Sequence, residues 1–123
     1  MIRQAALAAA VCCTLPGAAL AECRLALVLA LDVSSSVDPT EDTLQRSGLV
    51  AALTSPEVEA AFFAADQHVA LAVYEWSGRY QQQMVLDWTM IDSRAALVQA
   101  AETVAASTRS YTEYPTAMGY ALG

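Results

Sequence analysis

Asp32, Ser34 and Ser36 stand at alternate positions in the stretch Asp32-Val33-Ser34-Ser35-Ser36. They follow directly on seven apolar residues, Leu25-Ala26-Leu27-Val28-Leu29-Ala30-Leu31. One carboxylate and two hydroxyls are hard oxygen donors, and such donors select magnesium, manganese or calcium over zinc or copper. Their place in the chain matters as much as their type. In open α/β sheets ligands bind beyond the carboxyl ends of the strands, which is where a strand over 25–31 would deliver these three side chains.

The elements needed to hold such a site can be read on either side of it. The seven-residue run reads as a strand buried on both faces, as in the middle of a parallel sheet. Val37-Asp38-Pro39-Thr40-Glu41 is a helix start, with Asp38 at the N-cap, Pro39 at N1 and Glu41 as capping-box partner, and the helix runs to about Thr54. Gly48 inside it implies close packing of helix on sheet, since on an exposed helix it costs about 1 kcal/mol against alanine. Ser55-Pro56 restarts a short helix to about Phe63. A second strand spans His68 to Trp76, Ser77-Gly78 is a turn, and a third strand from Tyr80 to Trp88 returns antiparallel, its Gln81-Gln82-Gln83 suited to an exposed edge. Asp92-Ser93 caps a helix to about Ser107, with Leu97, Ala101 and Val104 as its sheet-facing stripe. A polar loop to Pro115 leads to a helical start at Thr116. The expected fold class is α/β, the first part of a Rossmann-like doubly wound sheet with about three strands and two to three helices. The apolar first strand has one neighbour where a central strand needs two, so the chain reads as a truncated domain or a fragment of a larger protein.

Residues 1–21 read as a signal peptide: Arg3 in the n-region, an apolar stretch from Ala5 to Leu15, and Ala19-Leu20-Ala21 as cleavage site. Pro16-Gly17 interrupts the apolar stretch, which is too short for a membrane anchor of ~20 residues. The domain is then 22–123, exported to the periplasm or secreted. Its Cys23 is left without Cys12 and Cys13 in a compartment that favours disulfides. The formal net charge is −7, there is no lysine, and loss of Arg3 makes the mature chain one unit more negative. Binding to nucleic acid or to an anionic membrane by bulk electrostatics is excluded.

With Asp32-x-Ser34-x-Ser36 after a buried strand and Thr116 on a later loop, the chain resembles the von Willebrand factor A (vWA) domain, a family with a metal-ion-dependent adhesion site (MIDAS). The phrases from Leu27 to Asp38 and Glu75-Trp76-Ser77-Gly78 are similar to those of a bacterial group of secreted vWA-like proteins of unknown function. The resemblance implies that Ser34 and Ser36 bind Mg2+ or Mn2+ through their hydroxyls, that Asp32 holds a metal-bound water and the serine hydroxyls, and that Thr116 joins directly or through water. The family's third-loop aspartate has no counterpart here, and Glu113-Tyr114-Pro115 replaces an often glycine-rich loop. The narrower group tends to carry a later cysteine, which the resemblance offers as a partner for Cys23 beside the alternatives of a free thiol and an intermolecular bond.

Neutral hydroxyls supply oxygen without cancelling the dication's charge. The metal is therefore weakly held, electron-poor and left with an open position that a carboxylate of a protein partner can fill. The expected function is a noncatalytic, adhesion-type binding module. Two alternatives stand beside it. One is a metal-dependent phosphohydrolase built on Asp32, although such enzymes need a second acid where Ser34 stands. The other is a non-functional fragment of a larger vWA protein. A serine hydrolase lacks its nucleophile elbow, and His68 is the only histidine. Tyr111, Glu113 and Tyr114 read as an ordinary exposed loop, with lining of the site's rim as the alternative. Asp38 and Glu41 are assigned to helix capping, and Trp76, Trp88, Phe62 and Phe63 to packing.

Overall fold

The computed structural model describes residues 23–110. Three strands and three helices follow in the order β1 (Cys23–Asp32), α1 (Pro39–Leu53), α2 (Pro56–Phe62), β2 (His68–Gly78), β3 (Gln81–Ile91) and α3 (Arg94–Ala106). The sheet has the order β1-β2-β3. β1 runs parallel to β2, with Leu27 opposite Leu71, Leu29 opposite Val73 and Asp32 opposite Trp76. β3 returns antiparallel to β2. A parallel pair needs a crossover, and α1 with α2 supplies it. This is an α/β, Rossmann-like arrangement around a mixed sheet.

Local chemistry starts each helix. The Asp38 carboxylate accepts from the amides of Thr40 (2.7 Å) and Glu41 (2.9 Å), and Glu41 Oε2 accepts from the Asp38 amide at 2.9 Å, closing the capping box. Ser55 and Ser93 accept from the amides of Val58 and Ala96 at the starts of α2 and α3. Pro39 and Pro56 sit in the first turns, where a missing N–H costs nothing.

The core lies between the helices and one face of the sheet. Val69, Leu71 and Val73 of β2 pack with Ile91 of β3, Leu97, Ala100, Ala101 and Val104 of α3, Leu53 of α1 and Phe62 of α2. β2 is the strand with a neighbour on each side, and Leu71 and Val73 are fully buried.

Three expectations are corrected. β1 is not buried on both faces: Leu25 and Val28 are 47% and 48% exposed. Among the described residues β1 pairs with β2 alone. Its Leu27, Leu29 and Leu31 join the core, while Ala26, Val28 and Ala30, pointing the other way, are exposed. Nor is Ser77-Gly78 the hairpin turn. Gly78 pairs with Gln81, so the turn is Arg79-Tyr80, because burial of Trp76 and Ser77 carries the strand two residues further. Finally, Gly48 does not mark a close approach, since a Cβ there would meet nothing within 4 Å.

One buried ionic cluster ties α1, β2 and the segment after α3 together. Parity along β2 turns Glu75 to the same face as Val69, Leu71 and Val73, and it is 2% exposed. Arg46 of α1 answers it. Its Nη2 donates to Glu75 Oε1, its Nε to Asp42 Oδ2 at 3.0 Å and its Nη1 to Ser107 Oγ at 2.8 Å. Glu75 Oε2 accepts from the Ser110 amide at 3.1 Å and from the Ser110 hydroxyl. Burial pulls the Arg46 pKa down, but hydrogen bonds and charge from Asp42 and Glu75 outweigh it, and the pKa is raised. A cation whose folded pKa is raised contributes stability below its unfolded pKa and loses it only as pH climbs through the folded value. The pair therefore holds throughout the neutral range. Asp42 Oδ1 is buried without a hydrogen-bond partner among the described residues, so the cluster has little tolerance for losing its one cation.

Two outcomes follow for stability. Gly48→Ala raises unfolding free energy by about 0.5–1 kcal/mol, because an open helical site gains alanine's propensity without a clash; an unchanged or lower urea midpoint would show that the glycine is needed. Arg46→Met strands Glu75 and costs roughly 3–5 kcal/mol. Adding Glu75→Gln recovers part of that loss, whereas a single-mutant cost below about 1 kcal/mol in urea unfolding would contradict a buried, mutually dependent pair.

Candidate metal centre

Because β1 and β2 are parallel, their carboxyl ends lie together, and Asp32 is the last residue of β1. The Val33 amide extends the ladder by donating to Trp76 O at 2.9 Å. Successive residues of a parallel strand address opposite neighbours, so the N–H and C=O of Asp32 itself point away from β2. Gln45 of α1 takes both: its Nε2 donates to Asp32 O and its Oε1 accepts from Asp32 N, each at 3.0 Å. One amide side chain thereby replaces a neighbouring strand at this position and ties β1 to the helix that follows.

The loop then folds on itself. Asp32 Oδ1 accepts from the Ser34 amide at 2.8 Å, an Asx-type turn. Ser34 O accepts from the Val37 amide at 3.1 Å, closing a turn over residues 34–37. The result is that Ser34 Oγ and Ser36 Oγ lie 2.9 Å apart. Ser34 is fully buried, Asp32 is half-buried and Ser36 is exposed, so the three donors rise from the sheet towards solvent. Spacing of two in the sequence thus brings Asp32, Ser34 and Ser36 together. Thr116, the fourth expected ligand, lies outside the described residues, as do Tyr111, Glu113 and Tyr114.

A second side chain shapes the loop from below. Arg109, just past α3, donates through Nη1 to Val37 O at 2.5 Å and through Nη2 to Ser34 O at 2.6 Å and Val33 O at 3.1 Å. Three carbonyls are turned to the guanidinium, which leaves the Asp32 carboxylate and the serine hydroxyls as the loop's outward donors. Sequence patterns single out neither Gln45 nor Arg109. Glu75 had a readable signal, since strand parity places it beside Val73 on the buried face; Arg109 had none, being 72–76 residues from its acceptors.

The donor set fits a small hard dication. It supplies one charge and two neutral oxygens, leaving an octahedral shell to be completed by water or another molecule. Among the described residues no three His, Cys, Asp or Glu side chains gather to hold a metal in the other common way. His68 begins β2, whereas Asp32 lies level with Trp76 near that strand's far end, so the histidine is at the opposite end of the sheet from the hydroxyls.

A family model described as "Protein of unknown function (DUF1194)" matches residues 22–123. No curated protein and no solved structure matches the chain. The chain, with its strand-end cluster of Asp32, Ser34 and Ser36, belongs to DUF1194, a vWA-like family of unknown function.

Proposed function

We propose that the chain is an exported, noncatalytic binding module of the MIDAS type, in which Asp32, Ser34 and Ser36 hold Mg2+ or Mn2+ and a protein partner completes the shell with a carboxylate. The observation that carries this reading is the 2.9 Å approach of the two serine hydroxyls beside a carboxylate whose Oδ1 is fixed by the Ser34 amide. A preformed pair of neutral donors needs little reorganisation to accept a cation. The single nearby carboxylate leaves the cation's charge largely uncancelled, which weakens its hold on the protein and strengthens its pull on an external acid.

Thr116 is the fourth donor of this proposal, and the length of chain before it permits that role. Ser110 is held by Glu75 at the same end of the sheet, and Thr116 follows six Cα–Cα steps later in the chain. That length spans at most about 20 Å, enough to return to the Asp32–Ser36 loop. The proposal takes residues 1–21 as a leader, on the pattern of Arg3, the apolar stretch from Ala5 to Leu15 and Ala19-Leu20-Ala21, and hence a periplasmic or secreted product. No helix among the described residues is long and apolar enough to cross a membrane. The acidic chain favours neither nucleic acid nor anionic lipid.

The reading is noncatalytic because the donor set includes no general base: the one histidine is at the far end of β2, and the loop's carboxylate is engaged in its turn. Titration of the full chain with Mn2+ or Mg2+ in a calorimeter is expected to show one weak site that Asp32→Ala abolishes and Ser34→Ala weakens at least tenfold. A carboxylate peptide added to the loaded protein is expected to bind only when metal is present. Equal heats for wild type and Asp32→Ala would defeat the proposal. Metal-dependent phosphate release from a generic ester, lost in Asp32→Ala, would replace it with a phosphohydrolase.

A further inference from the structure

Resting on that metal reading, we infer that Arg109 is the positioning residue of the site: its planar guanidinium holds the Asp32–Val37 backbone in the shape that aims the serine hydroxyls at the cation. The loop between β1 and α1 is secured at both ends, by Gln45 on Asp32 and by the Asp38 cap on α1. Between those points the carbonyls of Val33, Ser34 and Val37 have no strand or helix to satisfy them fully, and all three converge on Arg109. Fixing three carbonyls fixes the peptide planes on either side of Ser34 and beyond Val37, and so the direction of the Ser34 side chain; Ser36 is held to that frame by the Val37 amide on Ser34 O at 3.1 Å and by its own hydroxyl 2.9 Å from Ser34 Oγ. A planar fork with several donors spans three acceptors at once; a lysine ammonium on a flexible stem cannot reproduce that geometry.

Arg109 is itself held in place. Ser107, two residues before it, accepts from Arg46, and Ser110, one residue after it, is bound by Glu75. The buried cluster therefore presents the guanidinium to the loop, and the segment after α3 becomes part of the support for a site built at the end of β1.

Two physical effects of Arg109 oppose one another, and this makes its role measurable. As a positive charge beside a cation site it repels the metal. As a fork it preorganises the donors. If charge dominates, Arg109→Lys binds Mn2+ like wild type and Arg109→Gln binds it more tightly. If positioning dominates, both variants lose affinity by roughly 10- to 100-fold, the usual effect of removing a group that orients metal ligands, and lysine gives no rescue.

The experiment is calorimetric titration of full-length wild type, Arg109→Lys and Arg109→Gln with Mn2+. It is paired with hydrogen exchange of the Val37 amide in metal-free protein and with the thermal midpoint of each variant. The expected result is weaker Mn2+ binding in both variants and faster Val37 exchange in both before any metal is added. Arg109→Lys is the milder change, and its result decides the question should Arg109→Gln not fold. Wild-type affinity in Arg109→Lys, or tighter binding in Arg109→Gln, would overturn the inference. A wild type that takes no Mn2+ would instead defeat the metal reading; faster Val37 exchange in the variants would then still support the clamp, and unchanged exchange would end it.

Discussion

The turn from Val33 to Val37 belongs to neither β1 nor α1, so most of its peptide groups, like those of Asp32 on the side away from β2, must find partners outside the regular ladders. Two long side chains provide them. Gln45 reaches back from α1 to both backbone groups of Asp32, and Arg109 reaches across from the end of α3 to three carbonyls of the turn. Asp32 adds a local hook through the Ser34 amide. Without these contacts a short polar loop at the rim of a sheet would sample many conformations, and two serine hydroxyls would meet only in passing. With them, the hydroxyls share one place.

That arrangement depends on the fold one step further back. Parallel pairing of β1 and β2 puts Asp32 and Trp76 side by side, and the same register sets Glu75 just inside the rim, opposite Leu31. A buried carboxylate is expensive to leave alone, and Arg46 makes it a joint between α1, β2 and the residues following α3. The joint fixes Ser107 and Ser110, and thereby Arg109 between them. Core packing, the ionic cluster and the candidate metal loop thus form one chain of dependence that runs from Leu71 and Val73 outward to Ser36.

Features encoded by neighbours in sequence are legible in the chain itself. Asp38-Pro39-Thr40-Glu41 starts α1 as its capping chemistry dictates, Ser55 and Ser93 cap where their hydroxyls can reach, and the stripe Leu97, Ala101, Val104 faces the core. Features set by distant partners are not. The apolar run 25–31 identifies a strand correctly, but its burial depends on what lies beside it, and Val28 stands half exposed. Ser77-Gly78 has turn composition, yet the register of β2 against β3 moves the turn to Arg79-Tyr80. Gly48 implies a tight contact that the packing does not make. In the candidate site, the alternation of Asp32, Ser34 and Ser36 can be read directly, because an Asx turn is local. Gln45 and Arg109 cannot, since no pattern in the chain announces that three backbone carbonyls will converge on a residue more than seventy positions away.

The central claim is that Asp32, Ser34 and Ser36 converge on a dication. It is tested most directly by anomalous diffraction at the manganese edge from crystals of the full chain grown with Mn2+. One anomalous peak within coordination distance of both Ser34 Oγ and Ser36 Oγ, with the Asp32 carboxylate adjacent, is the predicted result. Clear density for the loop with no such peak, or a peak only at some other carboxylate, would contradict it.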